Sequence, residues 1–531
     1  MIQRDQKSAS TVLSGGSIVA RASSPCLNAG AEKDFFSESY SECCSTQHGL
    51  EARATMTFKS SRSRGAIMVA ALWIMIILVA VLLVLARSMR VEGVSSANRQ
   101  SMLEADAIER GAEQFVLSQV DGSKGDAVNA ISADAEAMPI GNGYFWILRP
   151  DPDSDQNYRF GITDESSKLN LNIATTDMLQ YLPAMTSDVA DAIVDWHDAD
   201  EITGTNGAES DYYLSLAIPY AAKNLPFETV EELQLVKGVT KELVFGYDLN
   251  RDGVLDANER KAGGTAAGLN SASSDSRGIF NFVTTSSVEP NTAADGTART
   301  NVNSGADDVQ KILTAALTAK RVPEIIARLA PLYATQRPPT DGKTPPTPQP
   351  PLFANIGVFY VRSGMTSAEF GLVADKLTTS PDKILTGLIN VNTAPKKVLM
   401  CLPGLDESDA ELLVSKRDSG GDTTSIAWVF DALTPAKAAV IAGMITSRSF
   451  QFSADIVGVS GDGRAYKRVR IIVDSQKSPA KIIYRRDLTS VGWPLDRQIQ
   501  DDLRQGNYQP SLQGTGNGSG SGMNGGNSAF H

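Results

Sequence analysis

One twelve-residue segment carries side chains of the type and spacing that bind calcium. Oxygen-bearing side chains occupy positions 1, 3, 5, 9 and 12 of the segment from 248 to 259, and a glycine occupies position 6. Such side chains, with a main-chain carbonyl at position 7, can surround Ca²⁺, while the glycine permits the sharp bend of the loop. The predicted calcium ligands are Asp248, Asn250, Asp252, Val254 (through its carbonyl), Asp256 and Glu259.

The alternative for this segment is a solvated Asp/Asn/Gly turn that binds nothing. A Gly-rich stretch follows Glu259 in place of a clear second helix, so the sequence predicts an isolated calcium loop and not a paired sensor. A second acidic segment, Glu209-Ser-Asp211-Tyr-Tyr, is compatible with a metal ion. Its spacing does not require one, and a solvated turn anchored by the two tyrosines is the favoured interpretation.

Residues suited to catalysis are scarce in this chain of 531 residues. Three of its four cysteines, Cys26, Cys43 and Cys44, precede the apolar run described below, which leaves Cys401 and no thiolate metal cluster after that run. His197 lies in an acidic stretch without a nucleophile motif. The net charge of −12 argues against a general affinity for nucleic acid, which needs clustered Lys and Arg. The sequence therefore predicts a protein that is not an enzyme.

An uncharged apolar run of 21 residues extends from Ala66 to Ala86. A helix of that length reaches about 30 Å, which is enough to cross the hydrocarbon core of a bilayer. Three basic residues between positions 59 and 64 precede the run. This arrangement favours a cytoplasmic N-terminus, with the chain after Arg87 translocated.

The candidate processing site lies before the apolar run and not after it. Cleavage between Gly65 and Ala66 would leave the apolar helix on the mature protein. Residues 59–120 resemble the N-terminus of a pilin or pseudopilin, which a prepilin peptidase cleaves at such a glycine. A plain signal anchor is the alternative. Met56 opens a compact basic leader, so the polar residues 1–55, which are predicted to be disordered, are interpreted as an extension upstream of the true start or as a long cytoplasmic leader.

The fifth residue after the predicted cleavage is Ala70, where most pilin-like proteins carry glutamate. The resemblance implies that this glutamate meets the N-terminal amine of a neighbouring subunit, since a carboxylate in lipid is costly unless it is paired. A subunit that lacks it resembles the minor pseudopilin K of type II secretion systems, which caps the filament tip.

The predicted fold class is α+β, with an N-terminal transmembrane pilin-like helix and a pilin-type antiparallel sheet interrupted by a large, mainly α-helical insert. Aromatic and β-branched residues predict two strands within 143–163, and three more strands at 452–460, 466–474 and 481–488. The predicted segments are a leader (1–65), a transmembrane helix (66–86), a pilin-like helix with the first strands (87–168), the insert (169–446), the late strands (447–502) and a disordered tail (503–531). Low-complexity linkers within the insert lie near 261–276 and 336–351.

The insert contains an internal repeat. Residues 169–185 align without gaps to residues 389–405, and a fainter copy begins at Asn301. Asn or Thr is predicted to cap the first helix of each copy, and the break after it to turn the chain into a second helix. Such units resemble helix-hairpin-helix modules, which bind the DNA backbone, although the first copy has Ala184 in place of the hairpin glycine. The acidic flanks favour a packing module, because phosphate contacts need cations.

Four segments of the insert, 167–175, 191–200, 206–220 and 223–240, resemble in the same order the pseudopilin K family of type II secretion systems (general secretion pathway protein K). The resemblance implies a single-pass inner-membrane protein, mostly periplasmic, at the tip of a short pseudopilus. There it would help to initiate assembly and the export of folded proteins across the outer membrane. The implied partners are other minor pseudopilins (I- and J-like), the prepilin peptidase, the inner-membrane secretion platform, and the secretin or a substrate. The alternative is a membrane-anchored DNA-binding receptor that uses the helix-hairpin-helix units, although no nucleic acid is expected as a partner.

Overall fold

The computed structural model describes residues 64–132, 135–151, 158–255, 259, 277–335 and 350–510. The leader up to residue 63, the first predicted linker, nearly all of the second, the predicted ligand Asp256 and residues 511–531 lie outside these ranges. The strands are β1 Met138–Ile140, β2 Gly143–Pro150, β3 Tyr158–Phe160, β4 Thr163–Asp164, β5 Leu169–Asn170, β6 Val283–Thr284, β7 Val288–Pro290, β8 Thr300–Asn301, β9 Leu377–Thr378, β10 Ile384–Thr386, β11 Ile389–Asn390, β12 Ile445–Thr446, β13 Gln451–Val459, β14 Tyr466–Asp474 and β15 Lys481–Asp487. The helices are α1 Arg64–Ser123, α2 Ala127–Ile131, α3 Thr176–Leu179, α4 Ser187–His197, α5 Ser210–Leu214, α6 Lys241–Phe245, α7 Ala306–Ala316, α8 Arg321–Thr335, α9 Ile356–Ser363, α10 Ser367–Gly371, α11 Lys396–Met400, α12 Glu407–Asp418, α13 Val429–Ala432, α14 Pro435–Ile441 and α15 Arg497–Gln505.

The chain divides into two compact units, Met1–Ala80 and Val81–His531. Helix α1 has 60 residues and begins in the first unit. Among the described helices it is the one long and apolar enough to cross a membrane, by length and composition alone. Its side chains from Ile67 to Leu85 are exposed. The predicted N-terminal apolar helix is therefore present in a fold that mixes helices and strands.

A seven-stranded antiparallel sheet forms part of the second unit. Its order is β1-β2-β13-β14-β15, with β3 paired to β2 and β4 paired to β13. Strand β2 precedes the insert and β13 follows it, and Trp146 of β2 lies opposite Val457 of β13. The chain thus leaves the sheet after β4 and returns to it at β13, so that everything from β5 to β12 is inserted between neighbouring strands.

One face of this sheet packs against the second half of α1. The buried helix residues recur every four positions, which places them on one face of the helix, and they are Ile108, Ala112, Val116 and Val120. They share a hydrophobic cluster with sheet residues such as Ile147. Gly458 lets the helix come close, because a Cβ at this position would lie 2.9 Å from the carbonyl oxygen of Ala105 and from the amide nitrogen of Glu109. The helix and the sheet therefore form one hydrophobic core.

Arg485 of β15 ties α1 to the last strand of the sheet. Its guanidinium donates to both carboxylate oxygens of Glu109 at 3.1 Å and to Glu113 at 2.7 Å. Glu109 is fully buried. Burial, together with the hydrogen bond and the charge of Glu113, raises the pKa of Glu109 to about 7. A proton on Glu109 therefore relieves the cost of burying its charge beside Glu113, whereas Arg485 favours the charged form.

We expect Glu109→Gln to change how the stability of the chain depends on pH. The folded-state pKa of about 7 lies above the usual 4.5, so the folded state binds more protons between these values and loses stability as the pH rises through them. Glutamine removes this loss. Relative to the wild type, the variant should therefore gain on the order of 1–3 kcal/mol between pH 4.5 and 8. Thermal melts of both full chains in detergent would measure the gain, with Glu92→Gln, at an exposed position of α1, as the control. Parallel pH profiles for wild type and Glu109→Gln would contradict this prediction.

Three short parallel pairings recur in the insert. Strand β5 pairs with β6, β8 with β9, and β11 with β12. Each opening strand ends in asparagine, and a second asparagine follows two residues later. The side chain of the first accepts a hydrogen bond from the backbone N–H of the second at 2.8–3.0 Å in all three copies. The segment at Asn301 therefore shares its short parallel pairing and its asparagine hydrogen bond with the other two segments.

The second asparagine of each copy binds a distant segment of the main chain. Asn172 donates to the carbonyl of Phe227 and accepts from its N–H, and Asn303 does the same with Phe353. Helix α3 is instead capped by Thr175, whose hydroxyl accepts from the N–H of Met178. The alternative that asparagine caps the first helix is wrong, because these side chains close longer loops.

Helices α3 and α4, and helices α11 and α12, form two pairs joined by tight turns. The turns pass through Ala184, with a φ of 54°, and through Gly404, with a φ of 79°. Alanine is unfavourable in this left-handed region, where glycine carries no penalty. The two copies therefore share a turn geometry in spite of the difference in residue. The prediction of a mainly helical insert missed its strands, because a strand of two or three residues has no visible alternation.

The described chain runs past residue 503, where the sequence predicts the disordered tail to begin. Helix α15 continues to Gln505, and Leu503 is buried against the sheet face opposite α1. The ring of Tyr508 packs edge-on against Tyr144 and Trp146 of β2. The ordered chain thus continues at least to residue 510, because these apolar side chains cover the second face of the sheet.

Candidate metal centre

Three carboxylates converge where α4 ends and α5 begins. Asp195, Asp198 and Glu209 each offer one oxygen atom, and these atoms all lie within 4.8 Å of one another. Asp195 lies in the last turn of α4, Asp198 follows that helix, and Glu209 immediately precedes α5. We call these three residues the acidic centre. Helix ends and the loop between them thus bring together residues that are as much as 14 positions apart.

Glycines allow the connecting loop to close around Asp195. The N–H of Gly204 donates to the carboxylate of Asp195 at 3.0 Å. A Cβ at Gly207 would lie only 1.8 Å from an oxygen of Asp195, so no other residue fits there without rearrangement. The ammonium of Lys237 holds the same loop by donating to the carbonyls of Asn206 and Gly207 at 3.1 and 2.8 Å. These contacts therefore hold the loop against Asp195 and fix the position of its carboxylate.

Buried aromatic side chains support the two helices that flank the acidic centre. Trp196 packs edge-on against Tyr213, with ring centroids 5.0 Å apart, and both rings are buried. The hydroxyl of Tyr213 accepts from the N–H of Lys237 at 3.2 Å. This apolar support lowers the local polarity and strengthens the repulsion between the carboxylates.

The acidic centre lacks the partners that buried carboxylates need. Glu209 is 3% exposed, and within the described ranges neither of its oxygens has a hydrogen-bond partner; one oxygen of Asp198 also has none. Burial, followed by the charges of Asp195 and Asp198, raises the pKa of Glu209 to about 7. Burial also raises the pKa values of Asp195 and Asp198. Unpaired buried charge is costly, so a proton or a cation must offset it.

The chemistry of the acidic centre suits a hard divalent cation. Ca²⁺ takes six to eight oxygen ligands, and carboxylates are its preferred protein donors. The group contains neither a histidine nor a cysteine, the donors typical of a zinc site. The favoured interpretation of Glu209 as part of a solvated turn is wrong, because its carboxylate is buried and faces two others. Asp195 and Asp198 lie in an acidic stretch before a glycine-containing loop, but no fixed spacing marks them as ligands in the sequence.

The predicted calcium loop has its carboxylates turned inward. Asp248, Asp252 and Glu259 are each less than 10% exposed. The N–H groups of Asp252 and Gly253 donate to Asp248 at 3.1 and 2.8 Å, the N–H of Val254 donates to Asp252 at 2.7 Å, and that of Leu249 donates to Glu259 at 2.9 Å. Asn250 accepts from the N–H of Asp252 and donates to its carboxylate. The predicted ligand Asp256 lies outside the described residues.

The two acidic sites differ in how their carboxylates are arranged. In the loop, backbone N–H groups hold the carboxylates, whereas at the acidic centre the carboxylates face one another. Burial, followed by the charge of Asp252, raises the pKa of Asp248 to about 7. The described part of the loop thus has buried oxygen atoms that suit a cation. Its carboxylates do not form a close group of three like that of Asp195, Asp198 and Glu209.

The predicted processing residues lie at the start of α1. Gly65, Ala66 and Ala70 belong to its first two turns, and Gly65 and Ala70 are exposed. Cleavage between Gly65 and Ala66 stays a prediction. His197 ends α4, with its Nδ1 atom 2.9 Å from the carbonyl oxygen of Ile193 and its ring beside Phe227. These contacts give His197 a place in the packing of the first repeat.

Two parts of the chain match family models. Residues 167–246 and residues 389–446 each match a model described as "Type II secretion system (T2SS), protein K". The first match contains the acidic centre, and the second runs from the start of β11 to the end of β12. The Asp248–Glu259 loop lies in neither.

One curated protein is similar over a short stretch of the chain. The type II secretion system protein K of Pectobacterium carotovorum subsp. carotovorum is 40% identical over 52 residues, which are 10% of this chain and 16% of that relative. The chain therefore spans about a sixth of the length of the curated relative that it matches. Among solved structures, the GspK-GspI-GspJ complex from the enterotoxigenic Escherichia coli type 2 secretion system aligns at 11% identity with a TM-score of 0.37. The alignment covers 74% of this chain and 99% of the other.

Proposed function

Since the chain belongs to the type II secretion system protein K family, we propose that it is a minor pseudopilin of a type II secretion system. The two family matches carry this proposal. The protein is anchored in the bacterial inner membrane by the apolar part of α1, with its N-terminus in the cytoplasm and its bulk in the periplasm. It acts by assembly and not by catalysis.

We further propose that the protein lies at the tip of the pseudopilus, where it helps to initiate assembly and the export of folded proteins. The side chains between Ile67 and Leu85 are apolar and exposed, which supports the proposal that this helix packs among other apolar helices within a membrane. The sheet against which α1 packs is the pilin-type body, and the paired helices of the insert are packing modules. The partners are I- and J-like minor pseudopilins, the prepilin peptidase, the inner-membrane secretion platform, and the secretin or a substrate.

The position of Ala70 gives a test of this role. Without a carboxylate there, the chain lacks the group proposed to pair with the N-terminal amine of a neighbouring subunit. We expect the tagged chain, extracted from membranes of its own host in detergent, to copurify with other minor pseudopilins in a small complex. An equally tagged, unrelated single-pass membrane protein is the control. Long filaments formed by this chain alone, or isolation without any other pseudopilin, would contradict the proposal.

We also propose that the insert binds Ca²⁺, at the acidic centre and in the Asp248–Glu259 loop. The partnerless buried oxygens of Glu209 and Asp198 support the first site. The inward-turned side chains of Asp248, Asp252 and Glu259 support the second. Bound calcium would stabilise the folded insert, because a ligand that binds only the folded state favours it by mass action.

The rival interpretation as a DNA-binding receptor is not favoured. Both helix pairs that suggested it lie inside the residues that match the protein K family. The net charge of the chain is −12, whereas DNA binding relies on clustered cations.

A further inference from the structure

Each of the three parallel pairings in the insert closes on a threonine. These closing threonines are Thr284 of β6, Thr378 of β9 and Thr446 of β12. In all three, the threonine hydroxyl accepts a hydrogen bond from the backbone N–H two residues later, at 3.0–3.2 Å. The closing threonines therefore share one local geometry, and they differ in the group to which the hydroxyl donates.

Two of the closing threonines donate to a buried glutamate. Thr284 donates to the carboxylate of Glu165, and Thr446 donates to that of Glu289 at 2.6 Å. Both glutamates are 3% exposed. Thr378 is 7% exposed, yet its hydroxyl has no acceptor among the described residues. It lines a cavity of about 130 Å³ instead.

Other donors without acceptors line the same cavity. Within the described ranges, the hydroxyl groups of Thr379 and Ser425 donate to nothing. The same holds for Nη1 of Arg299, although the other two side-chain nitrogen atoms of this arginine have acceptors. Asp375 is the one acidic residue among those that line the cavity, and its charge is offset by Arg299 at 3.3 Å and by Arg448 at 3.6 Å. The described lining is therefore rich in donors that lack an acceptor.

We propose that this cavity binds a carboxylate group. A buried donor without a partner is costly, and an ionised carboxylate is the acceptor that the other two closing threonines use. The guanidinium of Arg299 favours a charged acceptor over a neutral one, because hydrogen bonds between charged groups are the stronger ones. The carboxylate belongs to a free organic acid or to an acidic residue of another polypeptide, since both offer the same chemistry.

The size and the apolar part of the cavity suit a short carbon chain attached to the carboxylate. A bound water needs only about 10–15 Å³, so the cavity has room for several non-hydrogen atoms. The side chains of Leu385, Leu388 and Ile426 also line it. A small organic acid, or the side chain of an aspartate or glutamate, therefore matches both the polar and the apolar parts of the lining.

Saturation-transfer NMR of acetate, with the full chain in detergent, tests this proposal. We expect acetate to bind at least about tenfold more tightly than acetamide, which has nearly the same size and no charge. Thr379→Val should weaken acetate binding about fivefold or more, because it removes a donor to a charged group without breaking a hydrogen bond of the described structure. Thr378→Val should have a similar effect. Thr314→Val, at an exposed position of α7, is the matched control and should bind acetate as the wild type does.

Three results would overturn the proposal. They are the absence of acetate binding to the wild type, equal binding of acetate and acetamide, and wild-type affinity for acetate in both Thr378→Val and Thr379→Val. Binding of acetate to the isolated chain does not depend on the role in secretion proposed above, so each proposal can fail without the other.

The same titration on the complex of this chain with other minor pseudopilins distinguishes the two sources of the carboxylate. If an acidic residue of a partner fills the cavity, acetate should bind the complex at least about tenfold more weakly than it binds the isolated chain, because the two compete for one site. If a free organic acid is the ligand, acetate should bind the complex and the isolated chain equally well.

Discussion

Gly65→Val is expected to leave the chain unprocessed and to abolish its function in secretion. The predicted cleavage follows Gly65 directly, and a branched side chain there should not fit a peptidase site that accepts glycine. The uncut chain keeps three basic residues just before the apolar helix, and these hold its N-terminus on the cytoplasmic side. A helix anchored in this way cannot leave the bilayer to enter a filament.

Loss of processing in Gly65→Val should not result from misfolding. A Cβ at Gly65 would meet nothing within 4 Å, so the variant should fold as the wild type does. Gly93 lies on the same helix in equally open surroundings, and Gly93→Val is therefore the matched control that should be processed normally. Immunoblots of host cells that lack the wild-type gene would show the uncut form, and the culture medium would lack the secreted proteins. Normal processing of Gly65→Val would contradict the prediction.

Glu209→Gln is expected to be at least as stable as the wild type without calcium and less stable than the wild type with calcium. In chelator, the variant should be at least as stable as the wild type, because an uncharged amide removes a buried, partnerless carboxylate. In calcium, the wild type should be more stable, since a ligand at a hundredfold excess over its Kd stabilises the folded state by about 2.7 kcal/mol. Any residual calcium response of the variant is expected to come from the site proposed in the Asp248–Glu259 loop.

Melting temperatures of the full chain in detergent, in excess calcium and in chelator, would measure this reversal. Asp211→Asn is the control, because it removes an exposed negative charge two residues away from Glu209. If the wild type melts at the same temperature in both conditions, neither acidic site binds calcium. If the wild type responds and Glu209→Gln responds equally, the acidic centre is not the site.

Long periodic elements could be predicted from the sequence, whereas short ones could not. Strand β13, with nine residues, lies close to the position that its aromatic and β-branched residues predicted. Strand β5 has two residues and pairs with β6, more than 100 positions away, and no local pattern shows such a contact. The sequence also does not reveal that the chain up to Tyr508 packs on the sheet, since this packing depends on contacts with Tyr144 and Trp146.

The acidic centre could not be predicted from the sequence either. Spacing predicts calcium ligands in the Asp248–Glu259 loop because a continuous calcium loop has a fixed pattern. Asp195, Asp198 and Glu209 have no such pattern, because a helix end, a glycine-containing loop and the start of another helix bring them together. The burial of Glu209 could not be predicted either, because Glu209 lies in a polar stretch of sequence and is nevertheless buried in the structure.

N-terminal sequencing of the protein isolated from membranes of its own host distinguishes a pseudopilin from a protein with an ordinary signal peptide. We expect a mature chain that begins at Ala66, so that Ala70 is its fifth residue and the apolar helix is retained. A mature N-terminus after Ala86 would mean that the apolar run is removed as an ordinary signal peptide, and it would contradict the assignment as a pseudopilin.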